Sequence, residues 1–591
     1  MKRFLFLFTL SISLILFNCK STPGGDEPLP KITHEYEKID LLLPAKTDFL
    51  IQFKSIQSLY RNLLFNDFSL FGIELSDEQL KSMKKTVGFN ILSLKELKEN
   101  GFDTTIPIGL GFIDFGLGLH SPTIDYANTF ALFIPATDPG KVLKWLFKVQ
   151  NIDMEEVEQI KDKNIFFFQG KNKAYYVARA TENYVIVAQK MNIPAGWPND
   201  KESLAQLKQI YIDSVLPQTT LADSPNYKNV AAKLNIEKDA FLYINMQTLM
   251  EKLALSEKGN KSERVFFDLF KGLLGLGYTA DYSGPDLVVD SVMNIEPDSI
   301  YSRIYSDVTI DNEVIFSLKE KPVFFAKAAF NIEAFYRQII TQFENSGLLK
   351  AGDISDKIRQ LNKMLGIDIE NDIIANFAGS ANLVVTPSHT QEIVPPVAVV
   401  LNLKDQEKFS AVLTKLEPVL LSAIAGSKGK ISKETIAGGE VTKITAGKFT
   451  LFIGTARNNF ILATDRNIYE QLAGGSRATG FLSSLNDKEV VSHLTSDLSC
   501  FYLDFPGALE LLKHIPTLSP LFDENNKPAK KVIDFFQQLN YLLAYNNFSG
   551  SSLTGTFKIK TAFKKSFMQS LVEFIFSLFP IDKYLVPPNI T

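Results

Sequence analysis

The chain has 591 residues, more than one ordinary hydrophobic core accommodates, since single cores stop growing near about 250–300 residues; at least two lobes are expected. Hydrophobic residues make up 45% and charged residues 22%, which places the chain among globular proteins and excludes a disordered or fibrous one. With 62 Lys+Arg against 66 Asp+Glu the net charge is −4, and without a basic face nucleic acid is excluded as the expected partner.

Lys2 and Arg3 precede the uncharged run Phe4–Phe17, and Cys19 follows directly behind it. A membrane-spanning helix needs about 20 apolar residues, and this run falls short, as signal-peptide apolar regions do. An ordinary secretory cut wants small residues, which Phe17-Asn18 does not supply. The residues Leu16-Phe17-Asn18-Cys19 resemble the relaxed lipobox of spirochaetal lipoproteins, a stricter box carrying Gly, Ala or Ser where Asn18 stands. The resemblance implies a signal peptide over 1–18, lipidation of Cys19 by palmitate-like chains, and anchoring at the outer membrane, on its periplasmic face or at the cell surface. Durable anchoring takes more than one acyl chain, which a diacylglyceryl thioether plus an N-acyl group provides. Lys20–Pro30 is polar and rich in Pro and Gly, so residues 19–39 are expected to form a tether.

Next come two copies of one pattern. Tyr175–Ala188 aligns without gaps to Leu451–Thr464 at an offset of 276, and Leu59-Tyr60-Arg61 matches Phe335-Tyr336-Arg337 at the same offset. Phe241–Asn245 then matches Cys500–Asp504, and Ser283-Gly284 matches Ser549-Gly550. The expected lobes are 40–312 and 313–591. In each, a buried strand (Thr129–Ile134, Val397–Leu401) leads into a helix. Asp138 and Asp405 stand at the N-caps, with Pro139 at the favoured first position. Val142, Leu143, Trp145, Leu146 and Val149 form one apolar helix face; Phe409, Val412, Leu413, Leu416 and Leu420 form the other. Hairpins follow, turning through Thr181-Glu182-Asn183 and Arg457-Asn458-Asn459, then a later strand and a closing strand pair. The fold class is α+β: two homologous lobes with largely antiparallel sheets covered by helices on one side. The offset falls to 259 after the hairpins, so the first copy carries about 17 extra residues around Ile193–Leu221, expected to form a surface insertion.

The order of elements, the duplication and the leading segment Leu43-Pro44-Ala45-Lys46-Thr47-Asp48 resemble the bacterial envelope family known as domain of unknown function 3352. The resemblance covers most of the mature chain. It rests on hydrophobic patterns and implies no catalytic residue.

The chemistry-bearing residues give little. His34, His120, His389, His493 and His514 show no pair at metal-site spacing. Gly426-Ser-Lys-Gly-Lys430 lacks the spacing of a phosphate loop, and Gly109, Gly111, Gly116 and Gly118 do not match a dinucleotide turn; glycines in apolar segments serve close packing or bulges. Asp368, Glu370 and Asp372 alternate as calcium ligands do, but Ile373 stands where the loop needs Gly. With Cys19 acylated, Cys500 has no disulfide partner and reads as an inert buried thiol. No catalytic, metal or cofactor site is assigned. Ser566–Phe579 forms an apolar helix with a narrow polar stripe. It either meets lipid or a partner through Phe567, Phe574 and Phe579, or seals the second lobe's core.

Three functions compete. The preferred one is a non-catalytic, lipid-anchored envelope protein with a two-lobed binding or scaffolding body, its partner peptide, protein or lipid. The second is a carrier of hydrophobic ligands, suggested by 47 Phe against 19 Tyr and 2 Trp. The third is a hydrolase using carboxylates such as Asp504; because the matched residue is Asn245, both lobes cannot share that chemistry.

Overall fold

The computed structural model describes residues 35–578 apart from 72, 114–128, 161–162, 171–173, 191–199, 256–269, 307, 346–352, 389–394, 426–428, 476–479, 486, 516–517, 519–521 and 523–525. They fall into two compact units. The first holds residues 35–255, 274–294 and 563–578 of the described chain; the second holds 270–273 and 295–562. By their contacts the second unit resumes at Ile295, and the last described helix belongs to the first unit.

Unit 1 contains β1 (Thr47–Phe53), β2 (Ile108–Ile113), β3 (Thr129–Pro135), β4 (Glu158–Ile160), β5 (Ile165–Gln169), β6 (Tyr175–Ala180), β7 (Tyr184–Lys190), β8 (Ala240–Ile244), β9 (Leu273–Asp281) and β10 (Leu287–Ile295). Antiparallel pairings order them β4-β5-β6-β7-β3-β2-β1-β8-β9. Along β7 the buried side chains alternate between two cores. Tyr184, Ile186 and Ala188 join Leu207, Tyr211 and Val215 of the helix Lys201–Val215. Val185 and Val187 join Val142, Leu146 and Phe147 of the helix Pro139–Gln150. The centre of this sheet is thus covered on both faces, not one, and that is why β7 reads as a near-continuous apolar run.

The expected caps form. Asp138 Oδ1 accepts from the Lys141 amide at 3.0 Å and Asp405 Oδ1 from the Lys408 amide at 2.9 Å. The insertion is a different matter. Its described part, residues 200–221, holds the helix Lys201–Val215, capped by Asp200, with Leu207, Tyr211 and Val215 fully buried; the helix is core and not a surface loop. The body also starts before residue 40: Tyr36 packs on the core and Ile39 is buried. Ile39 and Leu43 explain Gly109 and Gly111, since a Cβ at either would stand 2.6 and 2.4 Å from their methyl carbons. The two glycines let this leading segment lie flat on β2.

Unit 2 contains β11 (Phe324–Ala329), β12 (Phe377–Val385), β13 (Val397–Leu403), β14 (Lys430–Ile436), β15 (Gly439–Ala446), β16 (Phe449–Ala456), β17 (Asn459–Ala463), β18 (Ser499–Asp504), β19 (Leu539–Ser549) and β20 (Ser552–Thr561). Its antiparallel order is β14-β15-β16-β17-β13-β12-β11-β18-β19-β20, whose first nine strands repeat the ladder of unit 1. One face carries Val400, Ile461, Phe325 and Tyr502 under the helices Arg466–Gly474 and Lys488–Ser496. On the other, Phe409 of the helix Gln406–Ala425 packs against Phe377 and Phe460.

Candidate functional site

Within unit 2 a cleft of about 270 Å³ opens beside residues 310–317, lined by Ile310, Asp311, Asn312, Glu313, Phe316, Ser317, Arg457 and Gly475. Arg457 is placed there by the hairpin between β16 and β17. A two-residue turn of this hand needs φ > 0 at both positions, and Arg457 and Asn458 adopt φ of 53° and 56°. For a long side chain such a conformation costs about 1 kcal/mol or more. The guanidinium then runs over Gly475, where a Cβ would lie 1.5 Å from Nη1; the absent side chain is what admits it. Its Nη2 meets Glu313 Oε2 at 2.9 Å, both side chains being partly exposed, and pairs of this kind contribute about 1 kcal/mol at most. Asp311 accepts from the Glu313 amide at 2.8 Å and from Asn402 Nδ2 at 3.1 Å.

Behind the cleft lies a buried polar network. Lys327, only 2% exposed, donates from Nζ to Asn312 Oδ1 at 2.9 Å and to the Leu494 carbonyl at 3.0 Å. It stands opposite Cys500 in the β11–β18 ladder. Burial holds its amine below the ordinary lysine range, opposed by Cys500, Asp497 and Asp311. Asp497 accepts from Asn547 Nδ2 at 2.6 Å and shares a 2.7 Å hydrogen bond with His493 Nδ1, whose ring stacks on Tyr545 at 3.5 Å.

A cysteine, a histidine and an aspartate near one another invite comparison with a nucleophilic triad, but the electrostatics run the other way. Such nucleophiles need a lowered thiol pKa; burial pushes Cys500 up to about 11. What the network does is fasten the helix Lys488–Ser496 and the 310–317 segment to the sheet. Arg457 and the two carboxylates remain as the cleft groups able to meet a polar ligand. Sequence reading missed Lys327, Asn312 and Arg457. For Lys327 a signal existed: in Phe324–Ala329 the inward positions are Phe325, Lys327 and Ala329, so period-two alternation puts a lysine on the core face.

The residues singled out from sequence are mostly structural. Asp504 caps the helix Phe505–Lys513 through the Gly507 amide at 3.0 Å and pairs with Lys321. Asn245 serves its own helix alike, accepting from the Thr248 amide at 3.4 Å. Asp368 caps the turn that follows it, and Asp372 accepts from the Asp368 amide at 2.9 Å and pairs with Lys408 at 3.3 Å. His514 lies half-exposed beside Glu510. Among the described residues no three His, Cys, Asp or Glu side chains gather as a metal site requires. Phe567 is buried and Phe574 half-buried, in a helix packed on unit 1 and not on the second lobe's core. Cys19, Phe579, His34, His120, His389, Gly116, Gly118 and residues 426–428 lie outside the described residues.

The family model for a protein of unknown function, DUF3352, matches residues 126–541, and the chain belongs to that family. The match takes in the cleft together with Lys327, His493, Asp497 and Cys500, and ends before Tyr545 and Asn547. Among solved structures, crystal forms III and IV of TP0453 align at 9% identity with TM-scores of 0.20 and 0.19. They cover 47% and 45% of this chain and 90% and 84% of their own, a likeness too slight to bear on fold or function. No curated protein matches.

Proposed function

We propose that this chain is a non-catalytic, lipid-anchored envelope protein of the outer membrane, whose body is two copies of one ancestral unit acting as a binding or scaffolding platform. The observation that carries the reading is Cys19, directly behind Lys2-Arg3 and the uncharged Phe4–Phe17. Among the described residues no helix is long and apolar enough to cross a membrane. In this reading attachment falls to the acyl chains, and the partner is a protein or lipid at the envelope, not a nucleic acid.

Duplication is supported by the shared strand order and by where the sequence matches fall. Phe241–Asn245 and Cys500–Asp504 are β8 and β18, adjacent to β1 and β11 respectively. Leu59–Arg61 and Phe335–Arg337 lie in the helices that follow β1 and β11. The non-catalytic reading is supported by the capping of Asp504 and Asn245 and by the raised pKa of Cys500. Cys19→Ala tests the anchor. The variant is expected to leave the membrane and detergent phases for the aqueous one; continued detergent partitioning, or a native mass that retains residues 1–18, would overturn it.

A further inference from the structure

The terminal helix Phe567–Leu578 begins with a capping box: the Gln569 amide donates to Ser566 Oγ at 3.2 Å and Gln569 Oε1 accepts from the Ser566 amide at 3.3 Å. Its Val572 and Phe576 are buried against Leu63 and Phe71, a cluster separate from the two large cores of unit 1. The wall of this groove is the segment after the helix Ile56–Asn62. Tyr60, Phe65 and Phe71 meet edge to face at 5.0 Å each, and Phe71 reaches Phe576 at 6.5 Å.

Two residues of that wall, Leu64 and Phe71, are left-handed, with φ of 58° and 55°. For bulky side chains this conformation is rare, and it persists only where surroundings over-determine it. Here the docked helix is a large part of those surroundings. Its polar ties include the Phe567 amide to the Gly284 carbonyl at 2.6 Å and Gln569 Nε2 to the Arg61 carbonyl at 3.0 Å. Neither is a ladder bond, so the helix can leave without opening the sheet, and its departure frees the two strained residues to relax.

We infer that the groove of Leu63 and Phe71 is a helix receptor, closed by the chain's own terminal helix as a releasable latch, and that its partner in trans is the same helix of a second copy. A free helix of 12 residues is unstable in water, so once released it needs another apolar groove. The corresponding groove of a second copy is complementary by identity, the relation that underlies exchange of terminal elements between protomers. The inference is independent of how the chain is anchored.

The test uses a fluorescent peptide of Lys564–Leu578 titrated into full-length chains. Phe576→Ser weakens the latch in cis and is expected to bind the peptide at least tenfold more tightly than wild type. Phe71→Ser, which damages the groove, binds it no better than wild type. Equal binding by wild type and Phe576→Ser, or tight binding by Phe71→Ser, would overturn the inference. Hydrogen exchange on the unmodified chain provides a check free of folding defects. Amides of 567–578 and 63–71 are expected to exchange together, at least tenfold faster than those of β7. Protection of the terminal helix equal to that of β7 would show that it leaves only on global unfolding, and the latch would be refuted.

Discussion

Replacing Leu207 by Ala measures what the helix Lys201–Val215 does for unit 1. Leu207 is fully buried, one turn from the equally buried Tyr211, whose hydroxyl donates to the Tyr175 carbonyl at 3.0 Å. Deleting such a side chain loses its transfer free energy and leaves a cavity, together about 2–5 kcal/mol. Where in that range the cost falls depends on how far the site can collapse. Leu207 sits between β strands on one side and Tyr211 and Val215 on its own helix, so about 3 kcal/mol is expected. At roughly 2–4 °C per kcal/mol for a body of this size, the melting midpoint should fall by roughly 6–12 °C. Differential scanning calorimetry of wild type, Leu207→Ala and Gln206→Ala reads this out. Gln206 is exposed on the same helix, and its replacement should stay within about 0.5 kcal/mol. If Leu207→Ala melts with the Gln206 control, the helix is a peripheral insertion after all and its assignment to the core is wrong.

Four further outcomes are expected from the structure. Cys500, raised from 9.0 to about 11 by burial, should react with iodoacetamide at pH 8 about a hundredfold more slowly in the native chain than after unfolding. Because its folded pKa is the higher one, its contribution to stability is complete below pH 9 and lost as pH climbs through 11. That loss, on the order of 2–3 kcal/mol in denaturant titrations, should be absent from Cys500→Ala. Asp504→Ala removes a cap and should cost about 1 kcal/mol in thermal melts, whereas Asp504→Asn, the residue type at position 245, should recover most of it. Arg457→Asn relieves a left-handed arginine and loses one exposed ion pair, so urea midpoints should be unchanged or slightly raised.

Sequence carried the ladder well because its signals are local. Thr129–Ile134 and Val397–Leu401 are apolar runs that end at Asp-capped helices, and both positions form strand then helix. The hairpin turns at Glu182-Asn183 and Arg457-Asn458 fell where polar residues interrupt apolar alternation. What stayed hidden depends on long-range partners. The helix Lys201–Val215 has an amphipathic pattern that suits either surface or core, and only the second face of the sheet decides between them. The receptor of the helix Phe567–Leu578 was hidden because Leu63 and Phe71, which meet its Val572 and Phe576, lie some 500 positions earlier. The cleft had no motif to announce it. It arises because Arg457 and Gly475, distant from Glu313 in sequence, are both forced left-handed beside it.

Because Phe576 closes a cluster that begins at Leu63, the first unit to leave the ribosome is the last to be finished. At about 5–20 residues per second the 513 positions between them take roughly 25–100 s to synthesise. For that interval an apolar trough at Leu63 and Phe71 waits uncovered while all of the second unit is made. A nascent chain arrested or cleaved before Phe563 would carry that trough permanently, and should be the form most prone to chaperone retention and self-association.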